Sequence, residues 1–175
     1  MSTSLDESAR LAGAHCWSER RMFEILGGWV ASTQDGAVKL MLDRHSQHHA
    51  WRATQWWERL PVLADVDRGA LVCAPSPAAA TAMGLVGETV ETVARLAGAY
   101  RFALPRMFAA YQQHRATASP VSDGSVLRTL GLVGPDLSSD WAEGEVALQG
   151  LIRSDGAAQL AAAAVARLEG VLAAG

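Results

Sequence analysis

Three histidines occur close together in the run His45-Ser-Gln-His-His49, and Arg52 follows three residues later. An α-helix advances about 100° per residue, so on a helix His45, His48, His49, Arg52 and Trp56 share one face. Imidazoles three or four residues apart lie side by side, a spacing that suits two ligands of one metal ion. The same histidines can instead serve as general acid and base near neutral pH.

Glu19 lies on the apolar stripe of an earlier helical segment. Burying a carboxylate costs roughly several kcal/mol of free energy unless the group is paired, protonated or bound to metal. Glu19 with His45 and either His48 or His49 gives a set of two histidines and one carboxylate, which is typical of non-haem iron. The structural alternative pairs Glu19 with Arg52 and leaves the histidines to bond backbone or water.

Other polar and aromatic side chains could bind a substrate beside these residues. Arg52 is predicted to anchor an anionic group, and Tyr100 to close the pocket from a later helix. Trp56 could line the same pocket, because it lies on the histidine face. Glu145 is a further polar group expected to reach the interior.

Helical periodicity dominates the chain, and no alternating strand pattern occurs. We predict a helix over about 5–32, a second over 37–60, and a third from Pro77 to about Arg115 with a kink at Pro105. An irregular segment through Asp65 and Asp67 separates the second from the third. The fourth helix follows a link at 118–124, is interrupted at Gly134-Pro135, and resumes over about 138–153 with Asp136 or Ser138 as cap. The fifth helix covers about 155–173.

A repeat relates Leu11–Phe23 to Leu96–Phe108, with identical residues at seven of thirteen positions. The repeat predicts that the first and third helices are equivalent, so that two helical hairpins pack as one bundle. Leu104 stands opposite Glu19 in this alignment, and the second hairpin therefore lacks the equivalent acid.

Composition limits the classes of protein to which the chain can belong. Its 175 residues are 50% hydrophobic and 19% charged, with a net charge of −3, which predicts a single domain over 1–175 and excludes intrinsic disorder. The mildly acidic balance argues against nucleic-acid binding. Met1–Arg10 has no apolar signal region and the stretch 157–174 is interrupted by polar residues, so we predict a cytoplasmic protein without a membrane span.

A duplicated helical hairpin with Glu19 on its first helix and paired histidines on its second resembles the ferritin-like superfamily, including small ferritin-like proteins of high-GC bacteria. The resemblance implies an all-α, ferritin-like four-helix bundle with a C-terminal fifth helix. In that superfamily each hairpin supplies a Glu and a Glu-x-x-His to a di-metal centre. Here His45-Ser-Gln-His48 replaces one Glu-x-x-His, and Glu145 begins Glu-x-x-Leu. These departures argue against a full di-iron centre and against iron storage.

The sequence therefore leaves several functions open. The first is a bacterial small-molecule enzyme, a non-haem oxidoreductase with iron or manganese held by Glu19, His45 and His48 or His49. The second is a metal-free pocket that performs acid–base catalysis. The third is a ligand-binding or scaffolding bundle without catalysis. The small-residue fifth helix and the six tryptophans favour a homodimer.

Overall fold

The chain is all-helical throughout the part that the structure describes. The computed structural model describes residues 5–62, 64 and 67–174. The helices are α1 (Leu5–Val30), α2 (Gly36–Trp57), α3 (Pro77–Gly87), α4 (Thr92–Ala97), a π-helical segment (Gly98–Ala103), α5 (Leu104–Thr117), α6 (Gly124–Leu151) and α7 (Asp155–Ala174). The predicted all-α class is confirmed. The predictions for Met1–Ser4 and for the segment at Asp65 lie outside the described residues.

The first two helices form as the sequence predicts, with ends shifted by a few residues. Asp35 caps α2, because its side chain accepts a hydrogen bond of 2.9 Å from the Val38 N–H. The two helices approach closely at Gly27, where an added Cβ would lie 2.9 Å from the Ser46 Oγ. Ser46 donates to the Phe23 carbonyl at 2.9 Å. This contact fixes how the face of α2 meets the face of α1.

The predicted single helix from Pro77 to Arg115 is wrong, because the structure divides it. Helix α3 starts at Pro77 behind the Ser76 cap and ends at Gly87. Helix α4, the π-helical segment and α5 then follow one another without a gap. Pro105 has no N–H to donate, and the turn before it is widened, with the Leu104 N–H bonded to the Ala99 carbonyl. The expected kink therefore takes the form of a π-helical segment that carries Tyr100.

The predicted interruption at Gly134-Pro135 is also wrong. Helix α6 runs from Gly124 to Leu151 with Pro135 inside it. Asp136 is therefore an interior residue of the helix, and neither it nor Ser138 is a cap. In a continuous helix Asp136 and Asp140 lie one turn apart on the same face. This correction determines which acidic residues reach the interior.

Four helical segments surround the polar interior. Helix α1 contacts α2 and α5, and α6 contacts α2 and α5, so each segment touches two others. Apolar side chains pack around these polar groups, and Met22, Leu26, Leu104 and Leu137 are fully buried. The ferritin-like arrangement of these helices stays a prediction.

Helix α7 packs against α3, α4 and the π-helical segment. Among the described helices it alone has the length and composition to cross a membrane, with a mean hydropathy of 1.3. Its buried contacts are made by Ala161 and Leu168. Most of its other side chains are exposed or half-buried. The homodimer and the cytoplasmic location stay predictions.

Candidate functional site

The histidine-bearing face of α2 points into the bundle. His45, His49 and Arg52 are completely buried, and Trp56 continues the same face. The His48 side chain lies at the edge and is 38% exposed. Three ionisable side chains without solvent contact need partners, because unpaired polar groups in an interior are costly.

Glu19 on α1 is the first of these partners. Its carboxylate is fully buried and lies 2.5 Å from the His49 Nδ1 and 3.1 Å from the Arg52 Nε. Tyr111 of α5 donates a third hydrogen bond through its hydroxyl. Burial alone would raise the pKa of Glu19, but the charges and hydrogen bonds around it outweigh burial and lower that pKa. Glu19 is therefore an ionised residue whose two oxygens already have partners.

Helix α6 supplies acidic side chains that the sequence analysis missed. Arg52 NH1 donates to the Asp136 Oδ2 at 2.5 Å and to the Asp140 Oδ2 at 2.8 Å. The pKa of Arg52 is lowered by burial but raised more strongly by Glu19 and Asp140, so it stays charged. Glu143, half-exposed at the edge, pairs with Arg44. Residues 136, 140 and 143 have helical spacing, so this signal was present in the sequence.

Each of the three histidines lies against a carboxylate. His49 contacts Glu19, and His48 Nδ1 lies 2.8 Å from the Asp140 Oδ1. His45 Nε2 lies 3.1 Å from the Glu143 Oε2. An ionised carboxylate only accepts hydrogen bonds, so the facing nitrogen of each ring carries the proton. Burial lowers the pKa of His45 and of His49, so the opposite nitrogen of each of these two rings has a lone pair for another partner.

These second nitrogens have different surroundings. His45 Nδ1 accepts a hydrogen bond of 2.8 Å from the Tyr100 hydroxyl. The His49 Nε2 is buried without a hydrogen-bond partner in the described chain, and so is one terminal nitrogen of Arg52. Burial lowers the pKa of His49 and outweighs the opposing effect of Glu19. A neutral His49 thus keeps an accepting nitrogen, and Arg52, which shares the Glu19 carboxylate with it, keeps a donor.

Of the described residues, one group has ligand atoms close enough to hold a metal ion. It consists of His48, Asp136 and Asp140, whose potential ligand atoms all lie within 4.8 Å of one another. This group shares only His48 with the set predicted from the sequence. Glu19 is occupied by other side chains, and it meets His49 rather than His45 or His48. The structure thus brings the predicted residues into one network but arranges a different trio.

Tyr100 reaches His45 because of a glycine on α6. A Cβ at Gly144 would lie 2.1 to 2.4 Å from atoms of the Tyr100 ring. The ring therefore occupies the space that any other residue at 144 would fill. Burial raises the pKa of Tyr100, so its hydroxyl stays protonated and donates to His45.

Two residues predicted to bind a substrate, Glu145 and Trp56, are bonded to other side chains of the protein. Glu145 pairs with Arg101 at 2.6 Å, outside the polar network. The role of Glu145 in substrate binding stays a prediction. Trp56 is completely buried, and its Nε1 donates to the Tyr111 hydroxyl at 2.8 Å. Tyr111 follows Leu104 by seven residues, so helical spacing could have placed it on the inner face of α5.

A second buried histidine pair lies beside this network. The His15 Nε2 is 3.1 Å from the His114 Nδ1, and the His15 ring lies 4.5 Å from the Trp56 ring. Burial and the neighbouring His114 lower the pKa of His15 to about 3. Burial likewise lowers the pKa of His114. Both rings are therefore neutral in the folded protein near neutral pH.

We expect this pair to make the fold sensitive to acid. Below pH 6.5 the unfolded chain takes up a proton at residue 15, whereas the folded chain does so only near pH 3. The contribution of neutral His15 to the stability of the fold is therefore fully present above pH 6.5 and is lost as the pH is lowered. The free energy of unfolding can be measured with urea at pH 7.0, 6.0 and 5.0. Between these pH values it should fall less steeply in His15→Gln than in wild type, by about 1 kcal/mol per pH unit. An equal pH dependence of the free energy of unfolding in the two proteins would contradict a neutral buried His15.

Comparisons with known proteins give no relative from which a function could be transferred. No family model, no curated protein and no solved structure matches this chain. Any functional conclusion must therefore rest on the chemistry of the site itself.

Proposed function

We propose that this protein is a small-molecule enzyme built around one divalent metal site, with His48, Asp136 and Asp140 as ligands. The observation that carries the proposal is the closeness of three potential ligand atoms, all within 4.8 Å of one another. His48 comes from α2 and both aspartates come from α6. Ligands from two packed helices hold their positions better than ligands on loops.

The donor set suits the proposed metals. Two carboxylates and one imidazole are ligands that iron(II) and manganese(II) accept, and three protein ligands leave positions open for a small molecule. Charge supports the same conclusion. The network holds four carboxylates (Glu19, Asp136, Asp140 and Glu143) against the guanidinium groups of Arg44 and Arg52, a formal charge of −2 when the histidines are neutral.

The residues around the ligands would have separate tasks. Arg52 holds Asp136 and Asp140 through their Oδ2 atoms, and the Asp140 Oδ1 faces the His48 Nδ1 at 2.8 Å. His49, oriented by Glu19, can accept a proton at its unpartnered Nε2. A redox-active metal bound beside them would supply oxidation chemistry, and any divalent ion would polarise a substrate oxygen.

Metal binding tests the proposal through His48→Gln and its matched control Glu145→Gln. Both side chains lie partly exposed in the bundle, but Glu145 pairs with Arg101 away from the network. After anaerobic loading with iron(II) or manganese(II) and desalting, we expect near one metal per chain in wild type and Glu145→Gln. We expect His48→Gln to retain less than about a tenth of that, since losing one of few ligands weakens binding strongly.

Two outcomes would contradict the proposal. Wild-type protein that holds no divalent metal at millimolar loading would exclude the metal site. Equal metal content in His48→Gln and Glu145→Gln would show that the metal binds at another place.

A metal-free acid–base enzyme is the second candidate, and one observation favours it. The His49 Nε2 and a terminal nitrogen of Arg52 are both buried without partners in the described chain. A small substrate with a hydroxyl group could donate to the His49 Nε2 and accept from Arg52. Absence of metal from active protein, together with loss of turnover in His49→Gln, would favour this candidate over the first.

A further inference from the structure

A cavity lies beside the polar network, between α1, α3, α5 and α7. Its volume is about 260 Å³. For comparison, a protein cavity of about 150 Å³ holds benzene, so this one has room for a fused or substituted ring. Most of its lining is apolar and includes Ala14, Trp17, Met83, Phe102, Met107 and Leu172.

One buried polar side chain in the lining has a free hydrogen-bonding position. His15 is only 5% exposed, and its Nε2 is bonded to His114. Its Nδ1 has no hydrogen-bond partner among the residues that the structure describes. Tyr111 also lines the cavity, but its hydroxyl is bonded to Glu19 and Trp56, so it contributes only its ring.

Each of the two arginines that line the cavity is paired with a glutamate. Arg10 lines the cavity and pairs with Glu7 at 2.6 Å. Arg106 also lines it and pairs with Glu169. A ligand carboxylate placed inside would lose its hydration without meeting an unpaired cation, which is unfavourable. The lining therefore favours an uncharged ligand.

We propose that this cavity binds an uncharged, mainly apolar molecule of one or two rings, with one hydroxyl group bonded to the His15 Nδ1. A hydroxyl fits either tautomer of His15, because it can both donate and accept. The rings would pack against the apolar side chains between α1 and α5. The Tyr111 ring separates this site from Glu19, so binding here does not require a metal ion.

Calorimetric titration with 2-naphthol tests the proposal in a matched pair of variants. Ala110 and Ala109 are adjacent, exposed residues of α5, but only Ala110 lines the cavity. We expect 2-naphthol to bind wild type and Ala109→Phe with one site per chain and equal affinity. Ala110→Phe should bind at least tenfold more weakly, because the phenyl group fills the cavity mouth. The anion 2-naphthoate should bind wild type at least tenfold more weakly than 2-naphthol does.

Three results would overturn the proposal. The first is no detectable binding of 2-naphthol to wild type up to its solubility limit. The second is equal affinity in Ala110→Phe and Ala109→Phe. The third is equal affinity of wild type for 2-naphthoate and 2-naphthol. None of them bears on metal content, so failure here is distinguishable from failure of the metal site.

Discussion

Replacing Arg52 by methionine is expected to lower the free energy of unfolding by about 3–5 kcal/mol, because the change leaves buried carboxylates without their cation. Arg52 is completely buried and bonds to Glu19 and Asp140, which are themselves almost inaccessible to solvent. Methionine keeps much of the side-chain volume, so the loss reports on charge rather than on a cavity. Urea unfolding followed by circular dichroism at pH 7 measures the difference.

The matched control is Arg101→Met. Arg101 also pairs with a glutamate of α6, Glu145, but both side chains are partly exposed, at 35% and 26%. Ion pairs in contact with water contribute about 1 kcal/mol or less. Similar losses in Arg52→Met and Arg101→Met would mean that the interior network is not the charged centre described above.

Replacing Gly144 by alanine should destabilise the fold by about 1–3 kcal/mol, the usual range for overpacking. The new Cβ would lie within 2.4 Å of three atoms of the buried Tyr100 ring. The ring would have to move, and its hydroxyl would then leave the His45 Nδ1. The near-ultraviolet circular dichroism signal of tyrosine should change as well, because the surroundings of Tyr100 differ.

Gly131→Ala provides the control for that change. Gly131 lies on the same helix, and an added Cβ would meet nothing within 4 Å. Alanine in the exposed interior of a helix is favoured over glycine by about 1 kcal/mol, so this variant should be more stable than wild type. The two glycine variants should therefore shift the urea midpoint in opposite directions. A Gly144→Ala protein as stable as Gly131→Ala would show that Tyr100 does not pack across α6 as described.

The first hairpin could be predicted from sequence because its signals are local. Asp35 is a standard helix cap, and the spacing of His45, His49 and Arg52 defines one face without knowledge of any partner. The alternative in which Glu19 pairs with Arg52 was also visible, since a buried acid needs a cation. The structure contains that pair.

The second half could not be predicted as well, because two prolines behave differently in their tertiary setting. Pro135 reads as a helix break, yet packing keeps α6 continuous through it. That assumed break separated Asp136 from Asp140 and concealed both as partners of Arg52. Pro105 reads as a simple kink, whereas the structure absorbs it in a π-helical segment. Which proline is tolerated depends on contacts that sequence periodicity does not contain.

Glu145 illustrates a further limit of sequence reasoning. Its position on the flank of α6 was compatible with reaching the interior or with pairing outside. The choice was made by Arg101 in the π-helical segment, which lies opposite it. A π-helical turn shifts every later side chain around the helix axis, so ideal helical geometry could not have identified this partner.

The measurement that tests the central claim most directly is the coordination of manganese(II) by His48. Pulsed electron paramagnetic resonance of the manganese-loaded protein detects a directly bound imidazole nitrogen through its modulation of the electron spin echo. We expect one bound imidazole in wild type, its loss in His48→Gln, and its retention in His49→Gln, because His49 faces Glu19 instead. A nitrogen signal that persists in His48→Gln and disappears in His49→Gln would contradict the account.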